Sequence, residues 1–396
     1  MTKIITDSKK IDEVLERGTI VEILPSKKDF RDRLLSGKKM RFYIGFDATA
    51  PTLHLSHAKN FILMEKFRKL GHEVIILFGD FTARIGDPSD KDSARKQLSR
   101  KEVMDNVGKW KKMVKPLMDF NDAKNPPKIM YNHKWLSKLG LEDLISLASN
   151  FTVQQMIARD MFQKRIEEKK PIYLHEFLYP LMQGYDSVAM NVDVEVCGTD
   201  QIFNSLAGRD LLKKIKEKEK YVVAVTLMEN PKTKELMSKS KGVGVFLDVS
   251  ANDMYGQIMA QSDEMLEILF INNTYLSIKE IKEIVKGNPR DAKMRLAYEI
   301  VKIHHGIKKA NESQKNFINI FQKKESPQEI VQLKLSGKKI IDVLVLSKLA
   351  KSKGEAKRLI SQKGIKVNDK SVDSEEVKIK KGDLIKKGKR HFIKIV

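Results

Sequence analysis

Residues 41–78 constrain this chain more than any other stretch. Arg41-Phe-Tyr-Ile-Gly-Phe46 has the composition of a strand. Residues 54–70 follow, with Phe61, Met64, Phe67 and Leu70 near helical spacing, and Gly71 stands where a helix C′ residue is expected. Val74 to Phe78 is an unbroken apolar run of β-formers, which suits a parallel strand covered on both faces. Strand, helix and strand at this spacing make a βαβ unit. The first half of the chain is therefore expected to be a doubly wound α/β domain, with its ligand beyond the C-terminal ends of the strands. The segments that leave those ends are Asp47 to His57 and Gly79 to Arg95.

The rest of the chain is read more coarsely. Residues 8–36 and 136–190 are expected to be helical, and Val222 to Leu227 a further buried strand. Residues 252–322 read as helices with a stop near Gly287-Asn288-Pro289, and Gln322 to Gln328 as a polar linker. The excess of 75 Lys and Arg over 52 Asp and Glu gives +23, and the tail carries a large part of it. Residues 338–396 hold 18 basic and 7 acidic side chains, a net +11. A basic chain of this kind often meets a polyanion, although a lysine-rich surface has the same composition. Cys197 is the only cysteine, which excludes an intrachain disulfide and a cysteine-rich zinc site. The N-terminus lacks an apolar signal region and no apolar run approaches membrane length, so a cytoplasmic location and no membrane partner are expected.

Four segments have residue types that can carry chemistry, most of it phosphate or anion binding. In Asp47-Ala-Thr49-Ala-Pro-Thr-Leu-His54-Leu-Ser-His57, a helix start offers unpaired N–H groups and two imidazoles three residues apart. Gly79 to Arg95 combines glycines with Thr82, Asp87, Lys91 and Arg95, enough for close backbone approach and anion binding. Tyr179, Gln183 and Asp186 share one face of a helix, with Pro180 in its first turn or kinking it. Leu236-Met-Ser-Lys239-Ser-Lys-Gly242 has the make-up of a mobile loop that brings a cation to a phosphate. Taken singly, each also fits an ordinary capped helix, a polar stripe or a solvated turn.

Together, and in this order, the four segments resemble the tyrosyl-tRNA synthetase family of the bacterial type, within class I. His54-Leu-Ser-His57 resembles the first class signature and Leu236-Met-Ser-Lys-Ser240 the second. Leu178-Tyr-Pro-Leu-Met-Gln-Gly-Tyr-Asp186 and Cys197-Gly-Thr-Asp200-Gln201 resemble its amino acid and ribose segments. The resemblance implies a Rossmann-like catalytic domain over 1–247 with a helical insertion and an α-helical anticodon-binding domain over 248–325. It also implies a linker over 326–335 and a small α+β S-four type RNA-binding domain over 336–396. In that family Tyr43 and Asp186 would bind the tyrosine phenol. Asp87, Tyr179 and Gln183 would bind its α-amino group with Thr82 close by, and Gln201 would lie near the carboxylate. Gly45, Asp47, Gly198 and Asp200 would hold the sugar and nearby parts of ATP. Thr49, His54 and His57 would serve the phosphates in the transition state, and Lys91, Arg95 and Lys239 the leaving pyrophosphate. Lys351, Lys353, Lys357 and Arg358 would meet tRNA phosphates.

The activity implied is ATP-dependent formation of tyrosyl-adenylate, then transfer of tyrosine to tRNA(Tyr). Magnesium would come with ATP, the protein would hold no metal of its own, and the assembly would be a homodimer. Two positions depart from the signatures, with Ser56 in place of glycine and Leu236 in place of lysine. An RNA-binding protein with weakened catalysis on the same scaffold, and a tryptophanyl-tRNA synthetase, are the alternatives. Intact His54, His57, Lys239, Asp87, Asp186 and Gln201 weigh against the first. The pairing of Tyr43 with Asp186 weighs against the second.

Overall fold

The computed structural model describes residues 2–86, 98–237, 244–321, 331–388 and 391–396. It divides into two compact units, one ending at Ala310 and one beginning at Asn311.

The first unit is built on β1 (Ile20–Leu24), β2 (Arg41–Phe46), β3 (Glu73–Phe78), β4 (Lys128–Tyr131), β5 (Val194–Gly198) and β6 (Tyr221–Val225). Their order in the sheet is β1-β6-β5-β2-β3-β4. Every described pairing is parallel except that of β1 with β6. The apolar run behaves as its composition demands, since Val74 to Phe78 are all buried in β3. Strand order reverses between β2 and β5. The chain winds from β2 through β3 to β4 on one side, and from β5 to β6 on the other. Such a reversal opens a crevice at the C-terminal strand ends, where the chain leaves β2 at Asp47 and β5 at Gly198.

Four helices bear on that crevice: α1 (Leu55–Lys69), α2 (Arg100–Val114), α3 (Leu174–Met190) and α4 (Ile202–Lys216). The periodic residues of α1 bury their stripe on the sheet, with the Phe67 ring stacked on Phe42 at 4.4 Å. Gly71 ends this segment at φ +99°, a conformation that favours glycine. Pro180 lies in the interior of α3, not in its first turn. α3 and α4 pack closely because both are glycine where they cross. A Cβ on Gly184 would stand 3.2 Å from the Gly208 Cα.

One expectation is corrected here. Residues 8–36 are not continuously helical. Helices Ser8–Leu15 and Lys27–Leu35 flank β1, because Gly18 at φ +95° and Pro25 interrupt the helix around a β-branched segment. The helices of 251–305 belong to the same compact unit as the sheet. Buried Arg17 ties them in, donating to the carbonyls of Ile271, Thr274 and Leu276 at 2.7–2.9 Å. The stop near Gly287 is real. Asn288 caps α5 (Pro289–His305) by accepting from the Arg290 N–H at 3.0 Å, with Pro289 as its first residue.

In the second unit, β7 (Val331–Leu333) pairs parallel with a C-terminal strand, so part of 326–335 belongs to a sheet. A three-residue strand is too short to leave a periodicity. The unit continues with α6 (Ile340–Leu346), α7 (Lys353–Ser361), β8 (Ile365–Val367), β9 (Lys370–Ser371), β10 (Leu384–Lys387) and β11 (His391–Ile395). The strand order is β7-β11-β10-β8-β9. Ile340, Val343, Leu344, Ala356, Ile365, Ile385 and Ile395 form its own closed core. Among the described residues no helix is long and apolar enough to cross a membrane.

Candidate active site

A cleft of about 1250 Å³ opens at the C-terminal ends of β2, β3 and β5. Its deep end is polar. Tyr43 on β2 is 1% exposed and its hydroxyl lies 3.2 Å from the Ser187 Oγ of α3. Asp186, 3% exposed, accepts from the Trp135 indole N–H at 2.7 Å and from the Asn132 amide at 3.3 Å. Burial drives the Asp186 carboxyl well above the usual carboxylate range. The two donors oppose that shift, and the Asp47 and Glu195 charges add to it. Burial beside Glu195 and Asp186 likewise raises the Tyr43 phenol.

A second group forms where the chain leaves β2 and β3. Asp47 accepts from the Thr82 hydroxyl at 2.7 Å and from the Tyr179 hydroxyl at 2.8 Å. Position 79 has to be glycine, since a Cβ there would fall 1.9 Å from the Asp47 carboxylate. Asn132 joins this group to the first, because the amide that reaches Asp186 also donates to Thr82 at 3.0 Å. Across the cleft, Gln183 donates to Glu195 at 3.0 Å and accepts from Asn204 at 3.1 Å. Asn204 also donates to Gln201 at 2.8 Å, and Gln201 to Asp200 at 3.0 Å, beyond the end of β5.

The third group is the start of α1. Thr49, Gly45 and His57 line the cleft, as do Gly198, Asp200 and Gln201. His54 caps α1 just before them, its ring 4.1 Å from that of His57 and 6.5 Å from that of Phe246. The His57 Nδ1 accepts from the His54 backbone N–H at 3.4 Å, which leaves Nε2 as its proton-bearing nitrogen. Burial pushes His54 down to about 4 and His57 well below its usual value. Both rings are therefore neutral donors at pH 7. Leu236, at the second signature, borders the cleft with Lys234, which lies 3.4 Å from Glu229.

Asp87, Lys91, Arg95 and Lys239 lie outside the described residues. The other expected tyrosine and ATP residues come to one cleft, with His54 at its edge behind His57. In the second unit Lys351, Lys353, Lys357 and Arg358 are all exposed on and before α7. Two of them pair with acids, Lys353 with Asp342 at 2.9 Å and Lys357 with Glu375 at 3.1 Å.

Sequence reasoning missed Asn132, Trp135, Lys59 and Glu195. Asn132 had a usable signal, since it follows β4 at the end of a parallel strand. Lys59 had none. It lies in α1, 2% exposed, borders the cleft, and donates to Asn60 at 2.8 Å. Burial lowers its amine to about 7, opposed by the charge of Asp200.

The sequence matches the family described as tRNA synthetases class I (W and Y) over residues 35–322, and the S4 domain over residues 339–385. The tyrosine–tRNA ligase of Carboxydothermus hydrogenoformans is 40% identical, with 97% of both chains covered. That of Thermotoga maritima is 36% identical, over 97% of this chain and 96% of the other. Among solved structures, a C-terminally truncated mitochondrial tyrosyl-tRNA synthetase of Aspergillus nidulans is similar at TM-score 0.66 and 23% identity. It covers 79% of this chain and 94% of that one. At that identity the structural likeness concerns the fold alone.

Proposed function

The chain belongs to the tyrosyl-tRNA synthetases of class I, and we propose how its residues divide the work of a tyrosine–tRNA ligase. Tyrosine lies in the cleft with its phenol at the deep end, against Tyr43 and Asp186. Its α-amino group meets Tyr179, Gln183 and Asp87, with Thr82 behind them, and its carboxylate lies near Gln201. ATP takes the outer part of the cleft. Gly45, Asp47, Gly198 and Asp200 hold its sugar, and magnesium arrives with it as part of the substrate.

The chemistry asks for positioning and charge stabilisation rather than a base. The carboxylate of tyrosine is already ionised and attacks the α-phosphorus. An oxygen–phosphorus bond forms as the bond to the β-phosphate breaks, and pyrophosphate leaves with the electron pair. Thr49 and the neutral imidazoles at the start of α1 donate hydrogen bonds where charge builds up. Lys91, Arg95 and Lys239 hold the departing pyrophosphate. A terminal hydroxyl of tRNA(Tyr) then attacks the acyl carbon and AMP leaves.

The observation that carries this reading is the polar deep end of the cleft. Phenylalanine would bury Asp186 and Tyr43 without a hydroxyl to meet them. Tyrosyl-tRNA synthetases are the standard instance of rejection by such a site. The exposed lysines of α7 support the reading of residues 336–396 as a tRNA-binding domain. A homodimer is supported by exposed apolar residues on the helical insertion, among them Leu141 at 73% and Val153 at 67%. A cytoplasmic location suits a chain whose single cysteine is buried and free.

The test is exchange of labelled pyrophosphate into ATP, with tyrosine, phenylalanine and tryptophan in parallel. Exchange with tyrosine alone is expected. Folded protein that exchanges with none of them, or prefers tryptophan, overturns the assignment.

A further inference from the structure

Behind the phenol end of the cleft lies an ion pair that none of these roles uses. Lys220, the residue before β6, and Glu195 on β5 are at most 2% exposed. The Lys220 ammonium donates to Glu195 Oε2 and, at 2.9 Å, to the Ser187 Oγ. Ser187 is fully buried and faces the Tyr43 hydroxyl at 3.2 Å. The other oxygen of Glu195 takes the Gln183 amide N–H at 3.0 Å. Position 208 on α4 is shaped to the same lysine, since a Cβ there would stand 2.7 Å from Nζ and 3.0 Å from the Ser187 Oγ. A buried pair returns little net stability compared with apolar packing. Its distinctive effect here is on direction.

An ammonium carries donors and no acceptor. Ser187 must therefore accept from Lys220, which leaves its own proton for a neighbour. The Tyr43 oxygen at 3.2 Å is closer than Glu195 Oε2 at 3.5 Å. With Ser187 donating to Tyr43, the Tyr43 proton turns away from Ser187 and toward the cleft, where the Glu195 carboxylate is its other possible acceptor until a substrate phenol arrives. Resting on the tyrosine pocket proposed above, we propose that Lys220 is a positioning residue for substrate recognition. Through Ser187 it aims the Tyr43 hydroxyl proton at the oxygen of the tyrosine phenol, and through Glu195 it holds the Gln183 amide in place. The phenol can then accept from Tyr43 while donating to Asp186.

The test is steady-state pyrophosphate exchange for the full-length wild type, Lys220→Met and Ser187→Ala. Lys220→Met is expected to raise the tyrosine KM about tenfold, the scale of a lost hydrogen bond to a charged group, with kcat and the ATP KM within about twofold. Ser187→Ala, which leaves the ion pair in place and carries the test if Lys220→Met does not fold, is expected to cost tyrosine roughly three- to tenfold. Phenylalanine, which has no hydroxyl, should be affected less than tyrosine in both variants. Parallel losses for tyrosine, phenylalanine and ATP, or no loss in Ser187→Ala, overturn the role of Lys220 while leaving the pocket in place. A wild type without preference for tyrosine overturns both.

Discussion

Replacing Asp186 with asparagine changes one buried atom and nothing of the side chain's shape. Its two oxygens are separately engaged, one by Trp135 at 2.7 Å and the other by Asn132 at 3.3 Å. Asparagine keeps a single acceptor oxygen. The shorter indole bond retains it, so the new amide nitrogen faces the Asn132 amide, donor against donor. That nitrogen cannot accept the phenol O–H of tyrosine. A hydrogen bond to a charged acceptor contributes about 1.5–3 kcal/mol, so kcat/KM for tyrosine should fall by roughly 10- to 150-fold. Phenylalanine never made the bond, and a neutral amide is easier to cover than a carboxylate. Its kcat/KM should hold or rise. Removing a carboxyl that burial already penalises offsets the donor conflict, so the thermal midpoint should stay within a few degrees. Pyrophosphate exchange at saturating ATP, with both amino acids, reads the outcome. Equal losses for tyrosine and phenylalanine, from protein that melts normally, would refute the assignment of Asp186 to the phenol.

Two further outcomes follow from other parts of the molecule. His72 is fully buried, its Nδ1 accepts from the Met40 N–H at 3.3 Å, and burial with nearby Lys39 pushes it down to about 4. The unfolded chain takes up a proton near 6.5 and the folded chain does not, so stability falls as the pH drops from 6.5 to 4, by up to about 3 kcal/mol from this residue. Denaturant titrations at pH 7 and 4.5 should show that loss shrinking in His72→Gln; an equally steep loss would remove His72 from the account. Changing Lys351, Lys353, Lys357 and Arg358 together to alanine should weaken tRNA binding and flatten its salt dependence by roughly 0.7–0.9 for each phosphate no longer neutralised, while tyrosine-dependent exchange is unchanged. An unaltered salt slope would place the tRNA elsewhere.

The βαβ start was legible because its evidence is local. The apolar run of β3 and the stripe of α1 declare their burial in a few consecutive residues. Asp47, Thr49 and His57 were legible as candidates because they follow a strand end or open a helix, and a doubly wound sheet binds ligands there, whereas Asp200 was reached only through the resemblance. Tyr179, Gln183 and Asp186 were legible as a set because helical spacing alone aligns them. The partners of those residues were not legible. Asp186 is held by Trp135 and Asn132, which lie 51 and 54 residues earlier, and Gln183 by a glutamate paired with a lysine 25 residues further on. No local pattern links such positions, since a buried polar group needs a partner but its neighbours in the chain do not say which. The strand β1 escaped although Gly18 and Pro25 bracket it, and β4 and β5 were likewise not read as strands. The amino-acid sequence by itself thus determined the βαβ start of the sheet, the cleft's place at the ends of those strands and a set of the polar residues that line it. Only the tertiary structure decided which hydrogen-bond donors and charges stand behind those residues, because desolvation and long-range pairing exist only once the chain has closed on itself.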